Sequence, residues 1–309
     1  MPAILTHHIF GEDASALLPD GILEKQEDLL AFLLGNQGPD PLWARFSTTP
    51  RIARSCHQLA TRMHSEHIVD SFLVLRDSVS HLRDSDKGVG RAFALGIAAH
   101  YLLDCLTHPL LYAQQQQLID ANPDLEDAAD EVHALLESEI DTWTLWQTRH
   151  KTVLDAPSSS ALSRTPLIES VTGSLLAQLA WEVFDIDLGP AEYAKSVQDY
   201  TLFYQLIDPP AQKLPHVLAR IERIKRAHSR LLAQAHEVWE SDECAAANLE
   251  HRRWRNPYTG ECSTASFPDL FHDAILAWPA FAQRFIEGDR ERLGAMVDNI
   301  DYYGRPSVP

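Results

Sequence analysis

Apolar residues recur three and four positions apart along most of the chain, and no run of strict alternation argues for strands. This periodicity predicts helices over residues 22–34, 50–82, 90–107, 125–150, 165–184, 190–206, 214–240, 268–287 and 289–301. Gly and Pro mark a loop over 35–41, and Pro109 is predicted to end the helix before it. The serine-rich stretch 155–163 reads as a flexible connection between halves. The expected fold class is all-α. Its expected organisation is a helical core over 1–154, with residues 155–309 packed into the same domain.

Composition narrows the class. The 309 residues, 45% hydrophobic and 23% charged, suffice for a substantial buried core. No stretch reads as a membrane span, and the N-terminus lacks the basic and apolar regions of a signal peptide. Cys56, Cys105, Cys244 and Cys262 form no CxxC pair, which suggests a reducing, cytoplasmic setting. The formal charge of −18 disfavours a long polyanion such as duplex nucleic acid, because no excess of Lys and Arg is there to replace phosphate counterions. A single phosphate reaching a local group of metal cations is still permitted. Oligomeric state is not legible.

Ten of the fifteen histidines lie in residues 1–150, and their spacing says more than their number. In GIAAHYLLDCLTHP, His100, Asp104 and His108 stand four apart, a row on one helix face whose neighbours are apolar. EVHALLESEID repeats the device with His133, Glu137 and Asp141, and TRMHSEH places His64 and His67 three apart on another predicted helix. Buried without partners, such groups cost a few kcal/mol each. Zinc removes that cost and takes imidazole nitrogen and carboxylate oxygen as ligands. Spacing alone leaves hydrogen-bonded His–acid pairs nearly as good an account as a metal.

Four stretches in order, PAILTHHIFG, GNQGPDPLW, RMHSEH, and AAHYLLDCLTHP followed by VHALLESEID, resemble the bacterial zinc-dependent phospholipase C family. They resemble more remotely the zinc nucleases of single-stranded nucleic acid. The likeness covers roughly residues 2–141 and implies a helical bundle with a cleft holding three zinc ions. It assigns Asp40, His64, His100 and Asp104 to one zinc, and His108, His133 and Glu137 to a second. It assigns His7, Asp104 and the terminal amine and carbonyl of Pro2, once Met1 is removed, to a third. The family's secreted members begin with an N-terminal tryptophan where this chain has Met1-Pro2, and here the second histidine follows Asp104 more closely. His8, His67, His81 and Asp141 have no place in the motif and read as supporting or surface residues, Asp141 as a possible brace for a ligand imidazole.

The function so implied is zinc-dependent hydrolysis of a phospholipid or small phosphoester, with Asp40 orienting or deprotonating the attacking water. Trp43, Phe46 and Phe72 are candidates for an aromatic wall, though core packing is the default for such residues. The alternatives are a single-strand nuclease-like hydrolase, a phosphohydrolase built on the doublet His272-Asp273, and a metal-binding interaction protein without turnover.

Overall fold

The computed structural model describes residues 4–210 and 229–306, and the fold is all-α. In chain order the helices are α1 (Ile4–Ser15), α2 (Gln26–Gly35), α3 (Pro50–Ser65), α4 (Ile68–Ser78), α5 (Lys87–Ala121), α6 (Ala129–Arg149), α7 (Pro166–Phe184), α8 (Glu192–Ile207), α9 (Phe267–Glu287) and α10 (Arg290–Val297). Between α8 and α9 the described chain is mostly irregular, with a short antiparallel hairpin of β1 (Trp254–Arg255) and β2 (Cys262–Ser263).

The bundle is organised around α5. Residues Gly90 to Asp104 of this helix are all buried except Arg91, so it has little polar face left for water. It is long and apolar enough to cross a membrane, yet 83% of its apolar window is buried inside the protein. Helix α2 crosses it where Gly35 meets Gly96: a Cβ on Gly96 would stand 2.2 Å from the Phe32 carbonyl oxygen. That close approach brings the turn after α2 against the next turn of α5, where His100 lies. Helix α9 closes the other side, with the fully buried Trp278 donating its indole N–H to the Ala14 carbonyl at 3.1 Å. One apolar core runs from Ile4 on α1 to Tyr302 near the C-terminus.

Several expectations need correction. Pro109 does not end a helix; it lies inside α5, its ring and the Cys105 carbonyl packed against Gly304, which carries no side chain to intrude. Helix 50–82 is broken after Ser65 by His67 in a left-handed conformation (φ 53°), so His64 and His67 do not share a face. The stretch 155–163 is packed, not loose: Ser158, Ala161 and Leu162 are buried in a 3₁₀ helix, Ser158–Leu162. Helix α1 was not anticipated, because the buried Thr6, His7 and Gly11 interrupt its apolar face and blur the period. Of the predicted helix 214–240, residues 214–228 lie outside the described part, and 235–240 are not helical.

Candidate metal centre

Helices α3, α5 and α6 each present imidazoles inward, and the second ring nitrogen shows how they are aimed. His64 Nδ1–H donates to the Ala60 carbonyl at 2.7 Å, and His100 Nδ1–H to the Asn36 carbonyl at 2.9 Å. His108 Nδ1–H donates to the Tyr302 carbonyl at 2.8 Å, and His133 Nδ1–H to Gln115 Oε1 at 3.0 Å. A carbonyl oxygen has no proton to give, so each Nδ1 must be the donor. Each neutral ring then presents an unprotonated Nε2 to whatever faces it. Gly38 (φ 57°) makes room for this packing, since a Cβ there would lie 2.4 Å from the His100 ring.

What those Nε2 atoms face is carboxylate. His64 Nε2 stands 3.0 Å from Asp40 Oδ1, and His100 Nε2 stands 3.5 Å from Asp40 Oδ2 and 3.1 Å from Asp104 Oδ2. His7 Nε2 meets Asp104 Oδ1 at 2.9 Å, and the His7 and His100 rings stack at 4.0 Å. Beside them, His133 and His108 bring Nε2 to 3.2 and 3.6 Å from Glu137 Oε1. Three sets thus form, His7/His100/Asp104, Asp40/His64/His100 and His108/His133/Glu137, each with its ligand atoms within 4.8 Å of one another. The contacts to Asp40 are close but do not satisfy it. Among the described residues, both its oxygens and His100 Nε2 are buried with no well-formed hydrogen bond.

Protonation follows from this crowding. Burial works against a charge on His108, but Asp104 and Glu137 outweigh it and raise its pKa to about 9. His100 is likewise raised by Asp104 and Asp40 despite its burial, whereas burial and the neighbouring His100 lower His7. Asp104 is held well below the usual carboxylate range: burial opposes its charge, but His100, His108 and His7 sustain it. Left to itself, this cluster must keep protons in place of the cation charge it is built to face. Imidazole nitrogen and carboxylate oxygen are the donors zinc takes, and the unsatisfied oxygens of Asp40 fit such an ion.

The profile of the zinc dependent phospholipase C family matches residues 6–182. The chain belongs to that family. Among curated proteins and among solved structures, none matches the chain. Zinc dependence and hydrolysis of the phospholipase C type come with the family. The matched span holds His7, Asp40, His64, His100, Asp104, His108, His133 and Glu137, and all eight lie in the three sets just described. Pro2 lies outside the described residues. His67 and His81 are exposed and His8 is half-buried beside Glu12, all apart from the three sets. Asp141 is completely buried and hydrogen-bonds no imidazole of the three sets directly: its partners are His236 and the backbone at the start of α1. His272 and Asp273 are exposed on α9.

The three sets open on a cleft of about 600 Å³. Trp43, which stacks on His64 at 4.4 Å, and Phe46 line it; Phe72 does not, being fully buried in the core. Sequence reasoning missed Tyr112, which stacks on His133 at 4.6 Å, and Phe203 and Tyr303, which also line the cleft. It also missed Gln115 and Tyr302, the partners of two imidazoles. Gln115 sits seven residues after His108 on α5, so continuing the helical row past Pro109 would have found it. The hydrogen bonds of Tyr302 carried no signal, since its backbone makes them: its carbonyl accepts from His108 and its N–H donates to the His64 carbonyl, while its ring packs against His64 at 4.9 Å.

Proposed function

We propose that this member of the family is a three-zinc phosphodiester hydrolase acting on a phospholipid or a comparably small phosphoester. The observation that carries the reading is the set of four imidazoles fixed through Nδ1, whose Nε2 atoms converge on carboxylates, among them Asp40, both of whose oxygens are buried without a hydrogen bond among the described residues. In hydrogen-bonded core pairs the acid itself would be satisfied. Asp40, His64, His100 and Asp104 would hold one ion, and His108, His133 and Glu137 a second. His7 and Asp104 would hold the third. Bound zinc supplies Lewis-acid stabilisation of charge on the phosphoryl group.

The chain's own residues supply the rest. Asp40, buried and lining the cleft, would orient the attacking water and take its proton. Trp43, Phe46 and Phe203 offer an apolar wall for the non-reacting part of a lipid substrate. A net charge of −18 repels a long polyanion, which favours lipid over oligonucleotide. Four free cysteines support a reducing compartment.

The test compares zinc-loaded protein on a short-chain phosphatidylcholine and on a single-stranded oligonucleotide at moderate salt. The lipid should be cleaved faster, and Asp40→Asn should lower kcat by about 10²- to 10⁴-fold. Faster cleavage of the oligonucleotide would move the protein to the nuclease reading, and unchanged turnover in Asp40→Asn would remove Asp40 from the chemistry.

A further inference from the structure

Four of the five imidazoles in the centre are fixed through their own second nitrogen; His7 is not. Among the described residues its Nδ1 is buried without a partner, and its one side-chain hydrogen bond is to Asp104. Something else must hold the ring in place, and the backbone on either side of it shows what.

His7 stands in the first turn of α1, where backbone N–H groups have no acceptor within the helix. The amides of Leu5 and Thr6 both donate to one carboxylate, Asp141, at 2.9 Å to Oδ2 and 2.7 Å to Oδ1. Asp141 lies on α6 one turn beyond Glu137, so the same helix that offers His133 and Glu137 to the cleft also grips the start of α1. The grip suits a carboxylate, since the positive end of a helix faces it.

That carboxylate is itself held. His236 Nε2 lies 3.0 Å from Asp141 Oδ2, and His236 Nδ1 lies 3.1 Å from Asp208 Oδ1 and 2.9 Å from Ser158 Oγ. Asp208 also accepts the His236 backbone N–H at 3.2 Å, and Tyr204 stacks on the ring at 5.3 Å. All four polar residues are buried, with Ser158 fully so; no substrate could reach its hydroxyl, which removes any nucleophilic reading of this Ser–His–Asp grouping. An imidazole set between two carboxylates serves both by keeping both nitrogens protonated. Its pKa is accordingly raised to about 10, with Asp208 and Asp141 overcoming the effect of burial.

We propose that Asp141, braced by His236 and Asp208, is a positioning residue that fixes the first turn of α1 and thereby sets His7 against Asp104. It does through the backbone what a carbonyl does for each of the other four imidazoles. Three segments remote in sequence, ending at Asp208, His236 and Ser158, thus serve a metal set that none of them touches. The role in metal binding rests on the reading that zinc occupies the His7–Asp104 set; the role in fixing α1 does not.

Two measurements on the full chain test it. In zinc-free protein, amide exchange at Leu5 and Thr6 should speed by about tenfold or more in Asp141→Asn, with the end of α1 unchanged. Unchanged exchange at these two amides would overturn the proposal, whatever the metal does. In zinc-loaded protein, competition with a chromophoric chelator should show that His7→Ala and Asp141→Asn weaken the same single zinc. The loss in Asp141→Asn should be about 10- to 100-fold, as for partners that orient a ligand. The double variant should be no weaker at that zinc than His7→Ala alone, and the other ions should keep wild-type affinity. Equal weakening of every zinc in Asp141→Asn would reveal a merely structural role and overturn the proposal. If His7→Ala weakens no zinc while exchange still accelerates, zinc at the His7 set is wrong and the positioning of α1 stands. Should Asp141→Asn fail to fold, Asp208→Asn takes its place in both measurements, with smaller shifts expected in the same directions and the same outcomes counting against the proposal.

Discussion

Helix α6 carries a row of three polar groups into two different buried clusters of histidine and carboxylate. His133 and Glu137 enter the cluster at the cleft, and one turn later Asp141 enters the one built with His236, Asp208 and Ser158. In kind of residue and in burial the two are alike. They differ in satisfaction. In the second cluster no side-chain nitrogen or oxygen lacks a partner, and an imidazole between two carboxylates balances its own charge. At the cleft, both oxygens of Asp40, Nε2 of His100 and Nδ1 of His7 have none among the described residues. Buried polar atoms without partners are costly, so a fold that keeps several together has a ligand to meet them. The inventory of side chains therefore does not tell a metal centre from a structural network; the unmatched atoms do.

The comparison sharpens most at His236. Replacing it with Gln leaves two buried carboxylates facing each other's field, and should cost about 3–5 kcal/mol of stability whether or not zinc is present. Its folded pKa of about 10 lies above the ordinary 6.5, so its contribution is full below about pH 6.5 and is lost as pH rises through about 10. Chelator-treated wild type should thus lose stability across that window in denaturant titrations, and His236→Gln should show a flatter profile there. Equal slopes in the two proteins would mean that the second cluster does not hold a charged imidazole. A smaller effect is expected at Gln115, whose side-chain oxygen fixes His133. Gln115→Leu should weaken zinc affinity by about 10- to 100-fold with little change in the stability of the zinc-free protein. A loss of zinc-free stability with unchanged zinc affinity would place Gln115 in the structure rather than in the centre.

How much of this could be read from the sequence follows from where each signal lies. The rows His100/Asp104/His108 and His133/Glu137 are local, and helical spacing alone set them on common faces. The all-α class was legible for the same reason. Helix α1 was not, because its buried face carries Thr6, His7 and Gly11 among the apolar residues and shows no clean period. Asp141 was visible as the third member of its row, but its true partners lie 95 or more residues away in sequence, and no spacing rule reaches them. The Tyr302 carbonyl was beyond reach for another reason: a backbone oxygen leaves no mark in the identity of its residue. Pro109 misled because its ring was expected to break a helix whose neighbours, Gly304 among them, leave room for it.

The central claim is that the cluster at the cleft holds metal and the cluster at His236 does not. The most direct test is the zinc content, by elemental analysis, of protein purified without chelator, in wild type, in a His100→Ala, His133→Ala double variant and in Asp208→Asn. Wild type should carry about three zinc ions per chain, the double variant at least two fewer, and Asp208→Asn no fewer than two. Wild type no richer in zinc than the double variant would contradict the account.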